Sequence, residues 1–325
     1  MLAVAVLIIC GSLFLAVAFP GAAYFNSLKE IIDEYGVETI NEHGLGQIDR
    51  MALLCGITNQ SQCLAPLSAV TAIWVLCDLL FVEKRLAVLH LVILVGAMPL
   101  VYMTRSRCAL LATCAGVTMV VMYGFRFVSL DRQVKRKLIS GMLALSSLVA
   151  IAVVVVELRD NSISKWIRKT DDVKGDTRTV SEAFTESRQG MVAKNMYDFY
   201  RNPLWGSGFQ VEYDFQYRYP RDKIVLSAPI EKGVLPLMVL GEAGVAGALV
   251  FFCFVVTFYF KCTQRRYVAT AILFTVFFAS NLGEATFFST GGSGGICWIM
   301  SIVGGFAIDM ITLKGARLQR QLAAW

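Results

Sequence analysis

The amino-acid sequence predicts an all-α polytopic membrane protein, with about eight transmembrane helices and one long external loop. Three observations lead there. Of 325 residues, 56% are hydrophobic and 17% charged, and the mean hydropathy is +0.61. An ordinary soluble domain carries about 25% charged residues. The apolar residues come in blocks near the roughly 20 residues needed to cross a hydrocarbon core, not at helix or strand spacing. Finally, residues 158–232 form the one long hydrophilic segment.

The elements follow in order. Residues 1–20 are apolar and lack the basic start and polar break of a cleaved leader, which predicts a first spanning helix. Residues 26–50 are polar and acidic. Gly56-Ile57-Thr58-Asn59-Gln60-Ser61-Gln62 leads into a second helix over about 63–81, and Val82-Glu83-Lys84-Arg85 is a short basic turn. A third helix covers about 86–103, and Thr104-Arg105-Ser106-Arg107 caps it. The fourth runs over 108–127 and the fifth over 138–156. After the loop come helix six (234–260), helix seven (267–287) and helix eight (296–313), with Gly291-Gly292-Ser293-Gly294-Gly295 as a flexible hairpin before the last. The chain thus divides into residues 1–157, the loop 158–233 and residues 234–325.

Charge sets the orientation, because Lys and Arg collect in short cytoplasmic segments. With the N-terminus inside, the inner segments hold thirteen: Lys84, Arg85, Arg126, Arg132, Lys135, Arg136, Lys137, Lys261, Arg265, Arg266, Lys314, Arg317 and Arg320. The short outer segments hold four, Lys29, Arg50, Arg105 and Arg107. Both termini are therefore expected in the cytoplasm and the loop outside. The same clustering beside apolar runs accounts for the net charge of +6 without a nucleic-acid partner. The nine cysteines form no CxxC pair and read as small buried residues. His43 and His90 are the sole histidines, which excludes a histidine-rich metal site.

Several polar groups carry possible chemistry. Arg105 and Arg107 at a helix end read either as snorkelling anchors or as a clamp whose planar guanidinium groups grip phosphate oxygens bidentately. Asn59 suits a helix N-cap. Asn202-Pro203-Leu204-Trp205-Gly206-Ser207-Gly208-Phe209, 14 residues after Arg188, is a turn that lets backbone approach something closely. Glu231-Lys232 reads as a solvated turn or as a polar pair at an external site. Glu242 reads as a packing residue of helix six. Asp171, Asp172 and Asp176, interleaved with Lys169 and Lys174, read as a solvated loop.

The order of these features resembles the O-antigen ligase and O-antigen polymerase superfamily. The resemblance covers roughly residues 53–250. It rests on Thr104-Arg105-Ser106-Arg107 for a Thr-x-Ser-Arg-like motif, on Gly56 to Ser61 for Gly-x-x-Asn-x-Asn, and on Arg188 followed by Asn-Pro-Leu-x-Gly-x-Gly-Phe. Gly241-Glu242-Ala243-Gly244-Val245-Ala246-Gly247 completes the set. Departures are Ser61 for the second Asn, Val192 for an aromatic, and no histidine where the family places His-Asn; Glu231-Lys232 stands in that neighbourhood.

The resemblance implies a metal-independent glycosyltransferase without cofactor in the bacterial inner membrane, its large loop periplasmic. It would move or polymerise glycan from an undecaprenyl-diphosphate-linked donor to a glycan or lipid acceptor. Arg105, Arg107 and Arg188 would hold diphosphate, and Glu231 with Lys232 would act on the acceptor. Asn59, Asn202, Gly206, Gly208 and Glu242 would support the loop. The alternative is a non-catalytic transporter subunit for polysaccharide or lipid-linked glycan. That reading expects ionisable residues inside the spans, where the sequence shows Asp78, His90 and Glu284 in or near apolar runs.

Overall fold

Helix α2 (Ser61–Asp78) is apolar around its whole circumference, and residues 63–73 are all buried. A helix of that kind belongs inside a bundle. Around it pack α1 (Leu2–Ala18), α3 (Val88–Met103), α7 (Val268–Ser280) and α8 (Gly292–Ile299). Three further helices are α4 (Arg107–Phe127), the short α5 (195–201) and α6 (Leu235–Arg265). The last, α9 (Gly305–Leu322), packs on α7.

The computed structural model describes residues 2–19, 24–25, 53–54, 56, 58, 61–83, 88–104, 106–127, 192–193, 195–208, 234–283, 286–288 and 292–322. The chain divides into two units. The first comprises residues 1–25, 53–121 and 191–325; of the second (26–52 and 122–190), the described residues are the end of α4. The described part is helical apart from a two-residue antiparallel pairing of β1 (Tyr24–Phe25) with β2 (Leu53–Leu54), in which Tyr24 faces Leu54 and Phe25 faces Leu53.

Three segments are long and apolar enough to cross a membrane: Cys63–Val82, Leu235–Arg265 and Ser293–Gly315. Shorter apolar helices at Leu2–Ala18, Val88–Met103, Arg107–Tyr123 and Val268–Ser280 accompany them. The expected fifth helix, about 138–156, lies outside the described residues. The most apolar window of α6 is only 22% buried, against 67% for α2 with its π turn. An apolar helix left so open has the surface of a lipid-facing helix, whereas α2 is the interior of the bundle.

Small residues permit the close packing. A Cβ on Gly116 of α4 would meet Ile73 of α2 at 2.9 Å and also strike Val276 of α7. On the last helix, a Cβ on Gly304 would meet the Trp74 indole nitrogen at 2.6 Å, and one on Gly305 the Thr270 Cα at 2.7 Å. Without a hydrophobic drive between helices in lipid, such approaches supply the dispersion contacts that hold a bundle together.

Four expectations change. Helix seven ends at Ser280, because Asn281 folds back on it and its amide Nδ2 donates to the Phe277 carbonyl at 2.8 Å. The Gly292–Gly295 stretch is not a hairpin but the first turn of α8, which continues through the π turn Met300–Gly304 into α9. Of the described cysteines, Cys63, Cys77, Cys262 and Cys297 are buried, but Cys10, Cys114 and Cys253 are exposed.

The fourth change is Asp309, which the sequence reading left out of the ionisable residues in apolar runs. It is buried on α9, and its carboxylate accepts hydrogen bonds from the backbone N–H of Ala269 (2.9 Å), the N–H of Thr270 (2.9 Å) and the Thr270 hydroxyl (2.7 Å). It therefore caps α7 from another helix, taking donors that a helix start leaves unpaired. Asp78 pairs with His90 Nε2 at 3.0 Å across the turn between α2 and α3.

Candidate functional site

The polar stretch after residue 190 begins with a short helix, 195–201, and a turn that its own backbone closes. The Asn202 N–H donates to the Asp198 carbonyl (3.3 Å) and the Gly206 N–H to the Asn202 carbonyl (2.8 Å). Pro203 has no N–H and stops the helix. Gly206 sits at φ +73 and Gly208 at +98, a region favouring glycine.

This turn docks on a break in α6. Gly244 has φ +63 and ψ −168 inside that helix. In an unbroken helix the N–H groups of Val245 and Ala246 would bond the carbonyls of Gly241 and Glu242. Instead Val245 donates to the Pro203 carbonyl (2.8 Å) and Ala246 to the Leu204 carbonyl (3.2 Å). The carbonyls thereby released accept from the turn: Ser207 N–H to Gly241 at 2.9 Å and Gly208 N–H to Glu242 at 2.9 Å. The Ser207 hydroxyl adds a bond to Gly241 at 3.2 Å. Two broken helix bonds become four bonds between segments. Left unpaired in lipid, each such group would cost several kcal/mol.

Backbone this close leaves no room for side chains. A Cβ on Gly206 would strike the carbonyl carbon and oxygen of Glu242, and one on Gly244 would strike the carbonyl of Leu204. A Cβ on Gly241 would lie 2.9 Å from the Asn195 carbonyl oxygen. The Gly-x-Gly and the Glu-x-Gly are the two halves of one joint.

Beside the joint lies a groove of about 760 Å³. Trp205, Gly208 and Glu242 line it at the joint, and Val250, Phe251, Phe254, Phe287, Phe288 and Trp298 are among the apolar residues that line it farther along. The aromatic wall is tightly built, with Phe287 and Trp298 rings 4.6 Å apart and the Trp298 indole N–H donating to the Phe287 carbonyl. Among the described residues of the lining, Glu242 alone is ionisable, and it is buried. A hydrocarbon chain suits such a groove; phosphate or proton chemistry needs groups from elsewhere.

Among the predicted residues, Asn202, Gly206, Gly208 and Glu242 come together at this joint. Arg107 is half-buried at the first position of α4. Thr104 closes the end of α3 through its hydroxyl to the Val101 carbonyl (2.9 Å), and Ser106 Oγ accepts from the Ala109 N–H (3.3 Å) as the N-cap of α4. Asn59, Arg105, Arg188, Glu231 and Lys232 lie outside the described residues. Sequence reasoning missed Asn195 and Asp198, both buried, the first against Gly241. Their i, i+3 spacing opposite Tyr197 and Tyr200 was the available signal.

The length and composition of its helices are those of an α-helical membrane protein, with a glycine joint and an aromatic groove on the least buried of the three long apolar helices. No family model matches the chain, nor does any curated protein or solved structure.

Proposed function

We propose that the protein is a bacterial inner-membrane glycosyltransferase of the O-antigen ligase or polymerase type, taking glycan from an undecaprenyl-diphosphate-linked donor. The observation that carries this reading is the joint itself. Both glycine motifs behind the family resemblance engage one another, beside an apolar groove open on a lipid-facing helix. A donor with a polyprenyl tail needs such an entry from the side. Its diphosphate leaving group needs fixed cations where charge develops. Arg107, together with Arg105 and Arg188, supplies them in this reading.

Membrane-embedded ionisable groups bear on the transporter alternative. Asp309 is occupied in capping α7, and Asp78 in pairing with His90. The Asp309 bonds are those of a helix cap, which supports the enzyme reading, while Glu284 lies outside the described residues.

The deciding experiment is transfer in proteoliposomes containing a lipid-diphosphate glycan donor, with Arg107 and Arg188 each changed to Lys and to Ala. The Lys variants are expected to be nearly as impaired as the Ala variants, because a point charge lacks the bidentate fork. Wild-type transfer by the Lys variants would leave these arginines as anchors. A deletion strain scored for glycan chain length and for glycan attachment separates polymerase from ligase.

The topology belongs to the same proposal: eight spans, a periplasmic loop and cytoplasmic termini. A reporter fused after Asp176 is expected to be active outside the membrane and one fused after Arg136 inside. The reverse pattern would remove the proposed site from the face where the donor is used.

A further inference from the structure

The short helix 195–201 is inside out for a protein in water. Its buried residues are polar, Asn195 at 2% exposed and Asp198 at 6%, and Asn195 packs on Gly241 of α6. Its aromatic face points away, with Tyr197 56% and Tyr200 72% exposed. Leu204 and Trp205 of the following turn extend that face at 57% and 74%. Arg201 lies over the Tyr197 ring, 4.9 Å from its centroid. Four large side chains so exposed on one short stretch of chain are a cluster of a kind soluble surfaces rarely show.

Depth along α6 says what covers this patch. Lys261, Arg265 and Arg266 mark one membrane boundary at the far end of α6. At a rise of 1.5 Å per residue, the regular part of α6 from Val245 to Lys261 is about 24 Å long, most of the ~30 Å thickness of the hydrocarbon core, and the joint adds to its far end. The joint therefore holds residues 203–208 at the opposite boundary, where headgroups meet acyl chains. Trp and Tyr concentrate at that level because their rings are apolar at one end and polar at the other. The patch is also continuous with the lipid-facing flank of α6 through Trp205, which lines the groove.

We infer that the 195–205 segment is an interfacial anchor that lies in the phospholipid headgroup layer, with Tyr197, Tyr200, Leu204 and Trp205 immersed and the Arg201 guanidinium on lipid phosphates. This rests on the depth of the joint and not on the transferase reading, and it holds for either orientation of the chain. Its consequence is mechanical: the docked turn is kept at phosphate depth by contacts with lipid as well as with α6.

Trp fluorescence tests it in the full chain, reconstituted in phosphatidylcholine vesicles. The signal lost in Trp205→Phe reports position 205, and the signal gained by adding Tyr200→Trp to that variant reports the face away from the groove. Both components are expected to be quenched more by lipids brominated close to the headgroup than by those brominated near the chain end, and more than by aqueous iodide. Stronger quenching by iodide at position 200 would put the face in water, as a glycan platform would need. Shielding from every quencher there would mean a protein cover, such as a second copy. Either result overturns the anchor. The Phe and Trp exchanges are volume-conserving enough to keep the fold, which an unchanged thermal midpoint verifies.

Discussion

Gly206→Ala is expected to lower stability by about 2–6 kcal/mol and to reduce glycan transfer to background, the sum of strain at a positive φ and an overpacked contact. The new Cβ meets no flexible side chain that could swing aside. It meets the backbone of Glu242, itself held by the bond from Gly208. To admit the methyl group the turn must lift from α6, and lifting it unpairs four backbone bonds. Ser207→Ala is the informative contrast. It removes one hydroxyl bond and leaves the backbone ladder intact, so a loss of only about 0.5–1.5 kcal/mol is expected. Thermal unfolding of the purified chain in nanodiscs, alongside transfer, measures both. A Gly206→Ala protein with wild-type midpoint and activity would show that the joint is not needed.

Glu231→Gln is expected to lower transfer by about 10²–10⁴-fold while leaving protein levels unchanged, the size of a general-base contribution. Glu231 stands in the neighbourhood where the resembled family carries a histidine, shortly before α6 begins at Leu235. Glutamine keeps its size and much of its hydrogen bonding but cannot accept the acceptor hydroxyl's proton. Glu231→Asp should retain part of the activity, and Ala little. The measurement is turnover in reconstituted membranes for the three variants. Full turnover by the Gln variant would make Glu231 a turn residue and leave the rate to positioning and to leaving-group electrostatics.

The helices were legible because crossing a bilayer imposes a length and an apolarity that a sequence displays directly. Seven of the eight expected segments are helical where the structure describes them, with α2, α3 and α4 close to their expected limits. The errors fall where local composition misleads. Gly292–Gly295 reads as a hinge in isolation, but in lipid a glycine run can remain helical, since abandoning backbone bonds there costs several kcal/mol per group. The early end of α7 comes from Asn281, whose side chain competes for helix carbonyls, a choice that hydropathy does not register.

The sequence alone determined that these residues form apolar helices, where the charged turns between them lie, and that the glycine motif near 206 is a place for close backbone approach. Only the tertiary structure decided that this motif and the one near 244 are partners. A broken helix frees two carbonyls and two N–H groups, and nothing in the spacing says which distant segment takes them. It also decided that Asp309 caps α7 across 39 and 40 residues of chain, and that the 195–201 helix buries its polar side. A sequence shows what a residue can bond; which groups are orphaned, and which segment lies close enough to take them, is settled when the helices pack.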